Sequence, residues 1–324
     1  MRTLSLLSLL LVAGAGCDQV TVPSRGDASP DSLATLWEAV DAGPTNFNAV
    51  AGSAPDNVFI VGDQGTVLHW DGTALQREES GTTTNLRGVA VGSDTVVYAV
   101  GEQGTIIRRQ DGLWTAEAPV TTAVLNGVWA GAATACAVGE QGVVLGLTGG
   151  VWSLVPNICN DTNHACKENY YAITDSTNGL YVVGTMGVVS QVNPALTVIT
   201  SAQVPGYAKV LAGATRSGAG ALFVGVDGGF FTWPAGNAAK TAGLPPVFLR
   251  GVAVAGGDAW VVGHEGFVAK VTAGQSPTTI PTPDQRWLVG VYAASASDLW
   301  VVGRSGAILR GPPGVRGVAD GGVN

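Results

Sequence analysis

Seven recurrences of one unit of about 40 residues predict the fold class: all-β, a seven-bladed β-propeller of four-stranded antiparallel blades. A G-x-x-G signature follows a short apolar run at Gly62, Gly101, Gly139, Gly184, Gly225, Gly263 and Gly303, at intervals of 39, 38, 45, 41, 38 and 40 residues. Glycine accounts for 47 of 324 residues and charged side chains for only 12%, a composition of tight turns and buried strands. No helical pattern of roughly 10–15 residues separates the strands, which disfavours a parallel α/β fold. With 46% hydrophobic residues the bulk of the chain is not disordered, and its glycines lack the three-residue period of collagen. A net charge of −8 argues against nucleic acid as a partner.

The N-terminus reads as an address. Arg2, the apolar run Leu4 to Val12 and the small residues Ala13, Gly14, Ala15 and Gly16 describe a secretory signal peptide over 1–16. Cys17 follows directly and resembles the acylated cysteine of a bacterial lipobox; the alternative is ordinary cleavage after Ala13-Gly14-Ala15. Residues 17–34, polar and aperiodic, read as a lipidated flexible tether. The propeller is expected over 35–315 and a flexible tail over 316–324.

Within the propeller, each second strand is a run such as Val58-Phe59-Ile60-Val61 or Leu299-Trp300-Val301-Val302. The fifth, Ala221-Leu222-Phe223-Val224, shifts its aromatic by one place. Each innermost strand opens with an apolar residue, a variable one, a small one and then Val or Ile, as in Leu86-Arg87-Gly88-Val89 and Leu249-Arg250-Gly251-Val252. Glycine or alanine fills the small slot in six copies, and Lys209 is the exception on this alignment. A lone sheet with two apolar faces must be covered on both, so neighbouring blades supply the cover. The seventh unit lacks a fourth strand, whereas Leu36-Trp37-Glu38-Ala39-Val40 is a fourth strand without the three before it. Joining the two closes the ring and removes an exposed edge.

The strings LNGVWAGAATACAVGEQGVVL and LVGVYAASASDLWVVGRSGAILR resemble the tandem repeats of the photosystem II stability/assembly factor-like and bacterial neuraminidase-like (Asp-box) groups, over residues 35–315. The resemblance implies a propeller. Its assembly-factor branch implies an Arg-rich face, whereas the 12 arginines here are dispersed. Its neuraminidase branch implies an Asp-box, of which Asp-Gly remains at 71–72 and 111–112.

Catalytic signals are sparse. The three histidines, His69, His164 and His264, are not at ligand spacing, and nucleophile-elbow and P-loop strings are absent. His264-Glu265 falls at a turn tip, where a solvated pair is expected. The tips place carboxylates Asp63, Glu102, Glu140, Asp227 and Glu265, with Arg304 at the seventh, on one face. They read either as an acidic ring for a cation or basic partner, or as soluble turn residues. Arg87, Lys209 and Arg250 sit near the starts of innermost strands, at a candidate channel mouth. Phe59, Tyr98, Tyr181, Trp260 and Trp300 lie mid-strand and are expected to pack between blades. Cys136 is expected to be a free core thiol. Cys159 and Cys166 bracket an insertion containing Asp161 and His164, and are expected to form a disulfide in an exported chain. A metal site of Cys159, His164 and Cys166 is the alternative. That insertion, beside the tips, is a candidate recognition loop.

The sequence therefore points to a non-enzymatic cell-envelope lipoprotein, a protein-binding or assembly scaffold working through one propeller face without a cofactor. The expected partner is an envelope or extracellular protein, the location a periplasmic or outer-membrane face, and the state monomeric. The alternative is a carbohydrate-binding or carbohydrate-active propeller, and secretion without an anchor.

Overall fold

The computed structural model describes residues 37–93, 96–155, 168–193, 195–196, 198–233, 243–283 and 285–311. They form seven antiparallel sheets arranged in a ring, each innermost strand packed beside that of the next blade and the seventh beside the first. Blade 1 is typical, with strands Phe47–Ala54, Asn57–Gly62, Val67–Trp70 and Leu75–Glu78 in that order from the axis outward. Six sheets have four strands. In blade 5 three are described, Leu211–Ser217, Gly220–Gly225 and Gly229–Trp233, and the expected fourth falls outside the described residues. Among the described residues no helix is long and apolar enough to cross a membrane.

The second strands are continuously apolar because each of their faces meets a different blade. Val58 and Ile60 pack with Trp300, Val302 and Ile308 of blade 7, whereas Phe59 and Val61 face Leu86, Val97, Ala99 and Ile107 of blade 2. Each such side chain, fully buried, contributes about 1.5–3 kcal/mol. Phe59, Tyr98, Tyr181, Trp260 and Trp300 are all buried in these layers. Cys136 is a buried free thiol, whose burial pushes its pKa up to about 12. Polar clasps fasten the outer rim. Glu78 of blade 1 accepts from both Arg109 and Trp114 of blade 2, at 2.7–2.8 Å, and is 3.0 Å from His69 Nδ1. Arg310 pairs with both oxygens of Asp298 and lies over the rings of Trp70 and Trp300, spanning blades 7 and 1.

Ring closure comes from the N-terminal side. Glu38–Ala39 pairs with Ile308–Gly311 in the register Glu38↔Arg310 and Ala39↔Leu309, and Val40 N–H donates to Ile308 O at 3.0 Å. Trp37, buried, anchors the segment by donating from Nε1 to Pro281 O. The strand is shorter than the five residues read from sequence.

Blade 5 corrects the alignment of the small slot. Its innermost strand starts at Leu211, and Gly213 pairs with Val224 as Gly251 does with Val262. Gly213 fills the slot, and a Cβ there would stand 2.7 Å from Arg250 O of the next blade. Lys209 precedes the strand. The sequence misled because Tyr207-Ala208-Lys209-Val210 mimics the same polarity pattern four residues early. The aromatic shift in the second strand is real: Leu222 occupies the place of Trp260, and Phe223 that of Val261.

Candidate functional site

The turns between second and third strands and the connections between blades share one face of the ring. The first of these turns runs Asp63-Gln64-Gly65-Thr66, with Thr66 N–H donating to Asp63 O at 3.1 Å. Both central residues have positive φ, +55° at Gln64 and +67° at Gly65, the geometry that matches the twist of paired strands. A Cβ on Gly65 would lie 1.9 Å from Thr82 O in the neighbouring connection. Close approach of turn and connection recurs around the ring: Gly142 N–H donates to Glu168 O, Gly228 N–H to Val247 O, and Gly306 N–H to Thr45 O.

This geometry divides the tip residues into two rings. First positions (Asp63, Glu102, Glu140, Thr185, Val226, His264, Arg304) are half-buried, and second positions (Gln64, Gln103, Gln141, Met186, Asp227, Glu265, Ser305) have φ between +53° and +59°. Asp227 and Glu265 therefore do not stand in register with Asp63, Glu102 and Glu140, and the single acidic ring read from sequence is replaced by a mixed one.

A second device lines the axis. In all seven blades the innermost strand bulges at its second residue: Asn48, Arg87, Asn126, Tyr171, Ala212, Arg250 and Val289. The extra residue leaves the ladder and re-aims its side chain. Arg87 and Arg250 thus reach the mouth from opposite sides of the ring, and Lys209 stays outside the strand, paired with Asp227.

The carboxylates of blades 1 and 2 are already occupied. Asp63 accepts from Asn46 Nδ2 at 2.8 Å and Asn48 Nδ2 at 2.9 Å. Burial opposes its ionisation, but these bonds and the charges of Arg304 and Arg87 hold its pKa below the ordinary value. Glu102 pairs with Arg87 and accepts from Asn85, and the bond from Arg87 leads in lowering its pKa. Glu140 has no side-chain partner among the described residues.

Blades 6 and 7 are built differently. His264 stacks on Trp287 with ring centroids 4.1 Å apart and planes 4° from parallel, and its other neighbour is Phe248 at 5.0 Å. Arg250 lies over the Phe248 ring at 4.1 Å and donates from Nε to His264 Nε2 at 3.3 Å. That bond makes Nε2 an acceptor, so the imidazole is neutral. Burial, followed by the charge of Arg250, pushes the His264 pKa below its ordinary value. His264 is thus packed rather than solvated, whereas Glu265 is exposed. Trp287 remains 50% exposed.

Sequence reasoning missed a clasp between blades. Asn85 Oδ1 accepts from Gln64 N–H at 2.9 Å, Asn169 Oδ1 from Gln141 N–H at 3.0 Å, and Asn46 Oδ1 from Ser305 N–H at 3.0 Å. The signal was present, an asparagine directly before the residue that opens an innermost strand. Phe248 and Trp287 occupy that same slot in blades 6 and 7. Among the described residues no group of three or more His, Cys, Asp and Glu could hold a metal ion. Asp161, His164, Cys159 and Cys166 lie outside the described residues, as does Cys17.

No family model matches the chain, and no curated protein matches it by sequence. Solved structures do. YCF48 bound to a D1 peptide is 14% identical with a TM-score of 0.68, covering 86% of this chain and 96% of that one. Virginiamycin B lyase from Staphylococcus aureus is 14% identical with a TM-score of 0.73, covering 85% and 98%. The WD40 propeller domain of Doa1 is 14% identical with a TM-score of 0.68, covering 85% and 95%. Identity this low speaks to the fold alone: the chain is a seven-bladed β-propeller.

Proposed function

We propose that this propeller is a non-enzymatic protein-binding or assembly scaffold of the bacterial cell envelope, held on a lipidated tether and working through its turn face. The observation that carries this reading is the mouth of blades 6 and 7, where half-exposed Trp287 sits on an aromatic and cationic stack. Exposed tryptophan beside arginine is the composition of protein-binding hot spots. Propellers of this shape include one captured with a bound peptide and a WD40 domain, which supports a protein partner. The histidines at described positions support it as well. His69 lies between Glu78 and Asn57, and His264 between Phe248 and Trp287, so neither is poised as a general base. The leader and Cys17 support the envelope address.

Cross-linking in the native envelope, paired with a glycan array, tests the reading. Protein cross-links from the turn face are expected. Glycan-specific binding without protein cross-links overturns it in favour of a carbohydrate-binding propeller.

A further inference from the structure

We propose that the channel mouth receives an acidic peptide segment of the protein partner, with Arg250 and Arg304 taking its carboxylate and Trp287 its neighbouring apolar side chain. This rests on the scaffold reading above and specifies what the scaffold recognises.

At the mouth, Arg87 has a carboxylate partner, whereas Arg250 and Arg304 have none among the described residues. Arg87, Arg109, Arg216 and Arg310 each pair with a carboxylate. Arg250 and Arg304 donate only to neutral acceptors among the described residues, His264 Nε2 and Asn48 Oδ1. Asp63 feels the charges of Arg304 and Arg87 but accepts its hydrogen bonds from Asn46 and Asn48, and Glu102 is paired with Arg87. Burial first, then the charges of Arg304 and Arg87, push the Arg250 pKa down, so an anion at the mouth would offset that repulsion. Arg87 Nε is buried without a partner at the same mouth. Each guanidinium offers a carboxylate the fork geometry of a strong charge-assisted pair.

The occupant follows from complementarity. The whole chain carries a net charge of −8, so an acidic segment is repelled by most of the surface and drawn to this mouth. A bare inorganic anion would use the arginines and leave Trp287 idle. A peptide uses both, because the indole stands on the stack that positions Arg250. Trp287 also directly precedes the innermost strand of blade 7, whose tip carries Arg304.

The test uses the full chain against an array of hexapeptides with three Asp or Glu and three apolar residues, beside the matching Asn/Gln array. Acidic peptides are expected to bind at least tenfold tighter than their amide counterparts. Arg250→Gln and Arg304→Gln should each weaken binding at least tenfold, and Trp287→Ala should weaken it severalfold, with unchanged circular dichroism. Arg304→Lys serves as a folded fallback and should retain part of the affinity. Equal binding of the two arrays, no binding to either, or indifference to the arginine variants overturns the proposal. Inorganic phosphate bound equally well by the wild type and Trp287→Ala, without peptide binding, would reveal a small-anion site and also overturn it. Envelope cross-links that persist unchanged in the Arg250→Gln/Arg304→Gln protein refute this inference and leave the scaffold reading standing. Absence of protein cross-links from the wild type refutes the scaffold reading itself.

Discussion

Arg304 Nη1 donates to Asn48 Oδ1 at 2.9 Å, joining the last blade to the first across 256 residues of sequence. The same amide donates from Nδ2 to Asp63 Oδ1 and to Leu86 O, so one side chain ties blades 7, 1 and 2. Asn48→Ala removes all of these bonds and leaves half-buried groups unpaired. A loss of about 1–3 kcal/mol is expected in urea unfolding. Asn126→Ala, which removes a single bond to Tyr170 O, should cost less.

Glu78 sets an acid limit. Burial opposes its ionisation, but hydrogen bonds from His69, Arg109 and Trp114 and the charge of Arg109 outweigh it and lower the pKa from 4.5 to about 2. A pKa depressed in the folded state contributes stability above the unfolded pKa, and that contribution is lost as pH falls through the folded value. Stability should therefore decline between about pH 4.5 and 2, by up to about 3 kcal/mol from this residue. Glu78→Gln should be less stable at neutral pH and show a flatter profile over that window.

Two glycines separate strain from clash. Gly65 and Gly81 both have positive φ, +67° and +73°, but a Cβ at Gly81 meets nothing within 4 Å. Gly81→Ala should cost only the left-handed penalty of about 1–2 kcal/mol. Gly65→Ala forces a methyl against Thr82 O and should cost clearly more, measured as the difference in Tm.

The closing strand makes a truncation test. Deleting residues 18–33 should leave Tm nearly unchanged. Deleting 18–40 removes Trp37 and the Glu38–Ala39 pairing and should destabilise the whole ring. Equal melting temperatures would contradict closure by this strand.

His264 should titrate below the ordinary histidine value of 6.5, because burial and Arg250 both disfavour the imidazolium. Arg250→Gln removes the charge and should raise the midpoint, followed by proton NMR of the imidazole.

The blade number, the strand layout and the closing segment were legible because each rests on periodicity and on turn glycines that recur at fixed offsets. Lys209 was misplaced because a four-residue slip preserves local polarity, and only pairing with Val224 fixes Gly213 in the slot. The tip residues were placed on the correct face but merged into one ring. Which of two adjacent turn residues points inward depends on backbone φ, which sequence alone does not display. The stack of Phe248, Arg250, His264 and Trp287 was invisible, since Trp287, directly before the innermost strand of blade 7, meets the three blade 6 residues only when the two blades pack together.

The bulge at the second residue of every innermost strand has an engineering consequence. Asn, Arg, Asn, Tyr, Ala, Arg and Val all occupy it without altering the ladder around them. The backbone therefore offers seven addressable positions around one axis. Randomising Ala212, Val289 and Tyr171 while sparing the Asn48 and Arg250 contacts would yield a combinatorial library on a constant frame, with each ligand read radially by several blades at once.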